Sequence, residues 1–293
     1  YLTDESRIDG GHAEWLFFPT NEQEVVAIIQ KMRENNTPIT IEGARTGIVG
    51  GAVPIDGGAI ISMERMNEVK GLGFDETVQR WYIRVGPGIT LNELKTILKQ
   101  KKLDDNISIP SGSDAVKRFK EDKKSYFYPV APTEMSAAIG GTIAANASGA
   151  TSFKYGPTRN WIRRIRVVLS NGEVLDITRG QYKAQDGIFR ISTSTGDIEI
   201  KVPSYTMPKA KNAAGLYTKP DMDLIDLFIG SEGLFGVITE AELWLEEYHP
   251  ACGCVVFFDD ADKAFNFVSL LRETDGIEPE FIEYFDENAI KLL

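Results

Sequence analysis

The chain of 293 residues is 42 % hydrophobic and 26 % charged, a globular composition able to bury a sizeable core and to divide into two or three lobes. Its 32 basic against 43 acidic residues give a net charge of -11, which argues against nucleic acid or an anionic membrane as the main partner. No stretch approaches the roughly 18 apolar residues of a membrane span and the amino terminus carries no charged-then-apolar signal pattern, so no integral membrane segment is expected.

Asn21 to Asn35 reads as an amphipathic helix with Val25, Ile28, Ile29 and Met32 on one face. A short apolar strand, Pro38 to Ile41, then enters Glu42-Gly43-Ala44-Arg45-Thr46-Gly47-Ile48-Val49-Gly50-Gly51, which packs four glycines into the nine positions from 43 to 51. Glycine reaches positive φ without steric cost, so successive N–H groups can converge into a nest for phosphate oxygens; a side chain at Gly47 is expected either to force the nest out of positive φ or to fill the phosphate's space. On the loop alone, a tight strand connector is an equal reading. The chain contains neither G-x-x-x-x-G-K-[ST] nor G-x-G-x-x-G, which excludes a P-loop and a Rossmann fingerprint.

Strands are expected at Ala59 to Met63 and Tyr82 to Val85, after which Gly86-Pro87-Gly88 turns into a helix opened by the capping box Thr90-Leu91-Asn92-Glu93. Residues 111–125 are charged and polar and read as an exposed excursion. From Thr133 the residues become small, through Ser136-Ala137-Ala138-Ile139-Gly140-Gly141-Thr142-Ile143-Ala144-Ala145-Asn146-Ala147-Ser148-Gly149. Such a run permits tight helix packing or a ligand lying against the backbone, and the polar side chains of Thr142 and Asn146 favour the ligand. Two hairpins follow, Ile162 to Leu169 with Val174 to Ile177 around Asn171-Gly172, and Phe189 to Ser192 with Ile198 to Val202 around Thr195-Gly196. A helical stretch, Met222 to Ile229, leads through Gly230-Ser231-Glu232-Gly233-Leu234-Phe235-Gly236 into the strand Val237 to Leu245. A new unit then begins with strand Val255 to Phe258, helix Ala261 to Arg272 and the segment Phe281 to Phe285. Both ends look cut, since the chain starts at Tyr1 and stops at Leu293 inside a helix-like run.

Cys252 and Cys254 stand two apart in what reads as a strand, a poor geometry for a disulfide, so two buried thiols and a reducing, cytoplasmic compartment are expected. Two cysteines do not complete a zinc site, and His12 and His249 lie in no metal-type spacing, so no metal is expected.

The segments Gly43 to Ala52, Val85 to Gly88, Ile139 to Gly149 with Tyr155-Gly156, and Gly230 to Glu240 together resemble the FAD-binding (PCMH-type) domain of the vanillyl-alcohol-oxidase flavoprotein family. The likeness is strongest to its FAD-linked oxidase branch, which includes the glycolate oxidase flavin subunit, D-lactate dehydrogenase and D-2-hydroxyglutarate dehydrogenase; Met63 to Val69 also resembles the segment after the pyrophosphate loop there. The resemblance implies an α+β fold, with a first FAD-binding lobe over residues 16–107, a second over 108–247, and the start of an α+β cap domain over 248–293. It implies non-covalent FAD, because Thr46 stands where some relatives carry a tethering histidine. By motif position, Ala44, Arg45, Thr46, Gly47 and Ile48 would meet the diphosphate. Pro132, Thr133, Ser136, Gly140, Gly141, Thr142, Asn146 and Ser148 would line the diphosphate, ribityl and flavin portions. Glu232 with the backbone of Val237 and Ile238 would meet the adenosine end, where a carboxylate can accept two sugar hydroxyls. Arg45 departs from the small or amide residue usual in the loop, so its side chain must either turn away or reach a phosphate. Leu234-Phe235 departs from the usual Thr-Leu.

The implied reaction is oxidation of a small 2-hydroxy acid, with hydride passing to flavin N5 and basic side chains clamping the carboxylate. An iron–sulfur or electron-transfer flavoprotein is a candidate electron acceptor; with no cysteine cluster in this sequence, any iron–sulfur centre would lie elsewhere. His12 and His249 match no catalytic motif, so no catalytic residue is named; His249 beside Pro250 reads as an interdomain hinge. Alternatives are a cofactor-binding electron-transfer module of a larger machine and a non-redox enzyme of the alkylglycerone-phosphate synthase type, which shares Ser148. A cell-wall enolpyruvyl reductase fits the Gly230 to Glu240 motif less well.

Overall fold

A computed structural model describes residues 1–130, 132–193, 196–209 and 215–292. The fold is α+β, as the resemblance implies. Strand β1 (Trp15–Phe17) leads to α1 (Glu22–Glu34), whose ends follow directly from sequence: the Asn21 side chain accepts from Glu24 N, and Asn35 closes the helix. Val25, Ile29 and Met32 form its buried face. Strands β2 (Ile39–Glu42) and β3 (Ala59–Ser62) complete a small parallel sheet in the order β1-β3-β2. Because β2 and β3 run parallel, the glycine-rich segment between them must travel the full length of the strands to return.

Next come β4 (Val69–Asp75), unforeseen by the sequence, β5 (Arg80–Val85) and α2 (Leu91–Gln100). The expected capping box is present, with Thr90 Oγ1 accepting from Glu93 N and the Glu93 carboxylate accepting from Thr90 N. After β6 (Ser108–Ile109), residues 115–121 form α3 (Ala115–Glu121), so the expected exposed excursion is corrected. Ala115, Val116 and Phe119 are buried in the main core, and the basic residues between them face water, a one-sided pattern hidden by the high charge of the segment.

The short strand β7 (Tyr126–Phe127) precedes α4 (Ile139–Ala144) and α5 (Ser152–Tyr155). The two hairpins are present, as β8 (Ile162–Val168) with β9 (Val174–Thr178), and β10 (Ile188–Thr193) with β11 (Gly196–Lys201); Thr195 at the second tip lies outside the described residues. The final elements are α6 (Ile225–Phe228), β12 (Val237–Trp244), β13 (Glu246–Glu247), α7 (Ala261–Glu273) and α8 (Glu287–Leu292). The strand expected at Val255 to Phe258 is absent: those residues are exposed and carry no strand assignment. For the same reason Cys252 and Cys254 are exposed free thiols rather than buried ones, since no neighbouring strand covers them.

The main sheet has six strands in the order β6-β4-β5-β12-β8-β9. Strands from residues 69–85 and from 162–244 therefore lie side by side in one sheet, while residues 15–62 supply the small one. One face of the main sheet carries Ile83, Val85, Ile165, Val167, Ala241 and Leu243 into a core shared with α2, α3 and α4. The opposite face carries a cross-strand charge ladder. Glu242, 1 % exposed, accepts from Arg84 Nε at 2.9 Å and from Arg163, and Glu240 accepts from Arg164 Nη1 at 2.7 Å. Alternating sign across neighbouring strands lets these charges leave water with partners in place. A second core of Val25, Ile29, Ile61, Met63, Met66, Val168 and Val237 joins α1 and the small sheet to the end of the large one.

Placing α3 in the core has a measurable consequence. Phe119 is fully buried and packs edge-on against Trp81 with centroids 5.2 Å apart, so Phe119→Ala should cost about 3–5 kcal/mol in denaturant unfolding. A change within about 0.5 kcal/mol, the ordinary value for a surface site, would return residues 111–125 to the solvent.

Candidate functional site

The glycines of the loop from 43 to 51 meet different constraints. Gly43 is small because of packing: a methyl group there would lie 3.1 Å from Ala138 Cβ and 3.6 Å from Gly141 N. Gly50 is needed for its φ of 81°, and a methyl group there would also meet Ile8 Cδ1 at 2.5 Å. Gly47 has neither constraint, since its φ is not in the left-handed region and no atom lies within 4 Å of where its side chain would begin. The alternative that rests on a positive φ at Gly47 is therefore corrected; the left-handed turn falls on Arg45, with φ 59°.

Helix α4 docks against this loop through bare backbone. Gly140 N donates to Pro87 O at 2.8 Å, Ile139 N to Ile89 O at 2.9 Å and Leu91 N to Ala137 O at 3.0 Å, so the small-residue run is stitched to the turn that opens α2. Any side chain at Gly140 would collide with Pro87, 2.7 Å away. Gly141 on the same helix is exposed, and a methyl group there would meet nothing within 4 Å.

The segment from 230 to 236 closes the third side. Gly230 N donates to Ile143 O and Glu232 N to Ala144 O, each at 2.9 Å. The Glu232 carboxylate reaches back to the first loop, with Oε2 3.3 Å from the position of a methyl on Gly51. Burial of part of that side chain raises the Glu232 pKa. Arg159, which sequence reasoning missed, anchors this arrangement: it donates to Asp226 Oδ1 at 3.1 Å and to Ile229 O, and its guanidinium lies over the Tyr217 ring at 4.1 Å. The loops 43–51, 86–88 and 230–236 thus meet at α4, as their resemblance to one site requires.

Within that convergence the individual residues differ from expectation. Thr142 is buried and its hydroxyl donates to Ile139 O at 2.8 Å, and Asn146 Oδ1 accepts from Arg159 N at 3.0 Å. The Thr142 hydroxyl proton and Asn146 Oδ1 are engaged with the backbone, while the Asn146 amide N–H groups and the main chain remain as donors for a ligand. Asn146 and Glu232 adopt φ of 46° and 52°; with Arg45, three of the expected cofactor positions hold a left-handed backbone on a non-glycine residue, a conformation concentrated at functional sites. Val237 and Ile238 are buried, but their β12 pairs with β8 there while its ladder with β5 covers only Ala241 to Trp244. Ile48, Thr133, Ser136 and Ser148 are exposed, and Ala44, Thr46 and Pro132 are partly exposed.

The Arg45 side chain turns away from the loop's open side. Its Nη1 lies 3.3 Å from Glu42 Oε2 and its guanidinium stacks over the Tyr1 ring at 4.3 Å. Glu42 went unremarked in the sequence, yet it is completely buried at the base of the loop, and its Oε1 has no hydrogen-bond partner. Desolvation outweighs Arg45 and pushes its pKa up to about 7. Its only sequence signal is position, an acidic residue ending a strand that otherwise reads apolar. Residues 1–12 also lie across this loop: Ala52 N meets Asp4 Oδ2 at 3.5 Å, and His12 N donates to Pro54 O at 3.0 Å.

The two adjacent glycines of α4 separate packing from open space. Gly140→Ala should lose about 1–3 kcal/mol of stability through overpacking on Pro87, whereas Gly141→Ala should be neutral or gain up to about 1 kcal/mol from helix propensity. Thermal or urea unfolding of both variants checks this, and equal losses would mean that α4 does not dock on Pro87.

Comparison with known proteins agrees with this geometry. The chain is 33 % identical over 244 residues to D-lactate dehydrogenase of Anaerostipes hadrus, covering 83 % of this chain and 38 % of that protein. It is 29 % identical to the glycolate oxidase subunit GlcD of Bacillus subtilis, over 94 % of this chain and 46 % of the relative. It is 26 % identical to D-2-hydroxyglutarate dehydrogenase of Stutzerimonas stutzeri, over 99 % and 51 %. The chain therefore spans roughly two fifths to one half of these relatives. A solved structure of alkyldihydroxyacetonephosphate synthase shares the fold, with a TM-score of 0.50 at 20 % identity over 79 % of this chain and 34 % of that one. A family model described as FAD binding domain matches residues 13–116 and 113–178, more than half of the chain and three of the four glycine segments. The chain belongs to this FAD-binding domain family.

Proposed function

We propose that this chain binds FAD non-covalently along the seam between the glycine loop, α4 and the 230–236 segment, and that it forms the cofactor-binding part of an oxidoreductase acting on a small 2-hydroxy acid. The single observation that carries the cofactor reading is the seam itself, where open space at Gly47 and Gly141 adjoins three expected positions held in left-handed backbone. Such a surface fits a ligand gripped by backbone N–H groups. The protein's net charge of -11 repels a diphosphate at long range, so aimed donors at short range must hold it, each charge-assisted bond contributing roughly 1.5–3 kcal/mol.

In this reading Ala44 to Ile48 hold the diphosphate by main chain and by the Thr46 hydroxyl. Gly140 to Thr142, Asn146 and Ser148, with Pro132, Thr133 and Ser136 before them, line the diphosphate, ribityl and flavin portions. Glu232 orients the adenosine end as a hydroxyl acceptor, with the backbone of Val237 and Ile238 on the same side. The small residues of α4 exclude water by close approach rather than by bulk. When bound, FAD supplies a two-electron acceptor. The relatives, D-lactate, glycolate and D-2-hydroxyglutarate enzymes by name, support a 2-hydroxy acid as the substrate class. We place the substrate carboxylate clamp and the proton acceptor in the part of such proteins that this chain does not span, and a separate iron–sulfur or flavin protein as the electron acceptor. None of the helices among the described residues is long and apolar enough to cross a membrane. A cytoplasmic location is proposed with the rest.

The purified protein should be yellow and should release its flavin into the supernatant on acid precipitation; a colourless protein that takes up no FAD would remove the proposal. Gly47→Val should lose FAD while unfolding at an unchanged midpoint, because the new side chain enters open space rather than protein. Under anaerobic conditions the complete protein's flavin should bleach with D-lactate, glycolate or D-2-hydroxyglutarate. Persistence of the colour with every 2-hydroxy acid tried would sink the substrate class and leave the cofactor assignment standing.

A further inference from the structure

We infer that Glu42 is a positioning residue coupled to the cofactor's charge: entry of the diphosphate draws Arg45 away from Glu42, and the buried carboxylate takes up one proton from solvent in exchange. The inference rests on the proposed placement of the diphosphate in the 44–48 loop.

Three observations lead to it. Glu42 is fully buried, and one of its two oxygens has no partner, an expensive condition for an ionised carboxylate and a much cheaper one for a neutral acid. Its one direct counter-charge, Arg45, makes a single long contact at 3.3 Å, while 29 % of the Arg45 side chain remains exposed on a residue already inside the proposed anion nest. The Arg45 backbone lies in the proposed nest while its side chain turns back to Glu42 and the Tyr1 ring, so an anion in the loop competes with Glu42 for the guanidinium. A doubly charged diphosphate three residues along the chain repels a Glu42 carboxylate and competes for the same guanidinium, and both effects favour the protonated acid.

From the loop there is Arg45, whose charge lowers the Glu42 pKa, and from the turn after β3 there is Glu64, whose charge raises it. The Tyr1 hydroxyl donates to Glu64 Oε2 at 2.9 Å, and Ser62, opposite Glu42 in the β2–β3 ladder, lies 3.3 Å from the same Glu64 oxygen, so neither satisfies Glu42. With the Glu42 pKa already at about 7 before ligand, the bound form lies higher. Below the free-state pKa both states are protonated and binding does not depend on pH. Above it, the free protein must collect a proton on binding, so affinity falls as pH rises, until the bound-state pKa is passed. FAD contributes nothing to this slope, because its diphosphate is fully ionised and its isoalloxazine N3–H stays protonated throughout the range.

The test is FAD binding to flavin-stripped protein, read by quenching of flavin fluorescence at about pH 5.5 to 8.5. The expected Kd is flat at the acid end and rises roughly three- to tenfold per pH unit above about pH 7. Calorimetry in two buffers of different ionisation enthalpy should show net uptake of up to one proton at about pH 7.5. Glu42→Gln, nearly isosteric and unable to ionise, should lose both the slope and the proton uptake. A slope that survives in Glu42→Gln would assign the proton to another site and overturn the inference, as would FAD binding by the unaltered protein with a flat profile. Failure to bind FAD at any pH would overturn the cofactor reading, and this inference with it, a result distinguishable from pH-independent binding.

Discussion

The structure depends on how closely backbone can approach backbone at α4. Gly140 N–H reaches Pro87 O, Gly43 rests on Ala138 and Gly141, and Gly230 and Glu232 hydrogen-bond to the carbonyls of Ile143 and Ala144. A Cβ at Gly140 would break the first of these contacts, and one at Gly43 would strain the second. The three loops meet only because each brings its smallest residues to the same short helix. Buried N–H and C=O groups must find partners, and here segments far apart in sequence satisfy one another.

Around that seam the fold divides its labour. The apolar face of the six-stranded sheet supplies the core under α2, α3 and α4, and the opposite face carries paired charge from Arg84 through Glu242 to Arg164. Glu242 lies beneath several guanidinium groups at once, which turns an otherwise costly burial into a register lock between β5, β12 and β8. Beyond β13 the fold is less enclosed: Val255, Phe257, Phe281 and Phe285 are exposed, and the Tyr155 hydroxyl donates to Glu280 at 2.8 Å to hold the segment before α8 against α5.

Elements whose signal is local were legible in sequence. Asn21 and Asn35 bound α1, Thr90 and Glu93 cap α2, and Asn171-Gly172 turns β8 into β9, because each is fixed by chemistry within a few residues. Misreadings occurred where local pattern and tertiary environment part. Lysines and arginines around Val116 and Phe119 concealed α3, since charge density masks a narrow apolar stripe. Val255 to Phe258 reads as a strand but has no neighbour to pair with, which leaves Cys252 and Cys254 in water. Sequence does not reveal that the Thr142 hydroxyl and Asn146 Oδ1 also brace Ile139 O and Arg159 N.

By itself the sequence determined that this chain carries a family of glycine segments suited to an extended anionic cofactor, because glycine, proline and small-residue spacing constrain the backbone directly. It also determined the ends of α1, the start of α2, and the hairpins. Only the tertiary structure decided that β4 and β5 share a sheet with β8 and β12, that Gly43 is a packing residue while Gly47 faces open space, and that Arg45 pairs with a buried Glu42 instead of facing the loop's mouth. The physical reason is range. φ preferences and caps act over neighbours in the chain, whereas burial, and the electrostatic cost it places on a single carboxylate, depends on segments that meet only after folding.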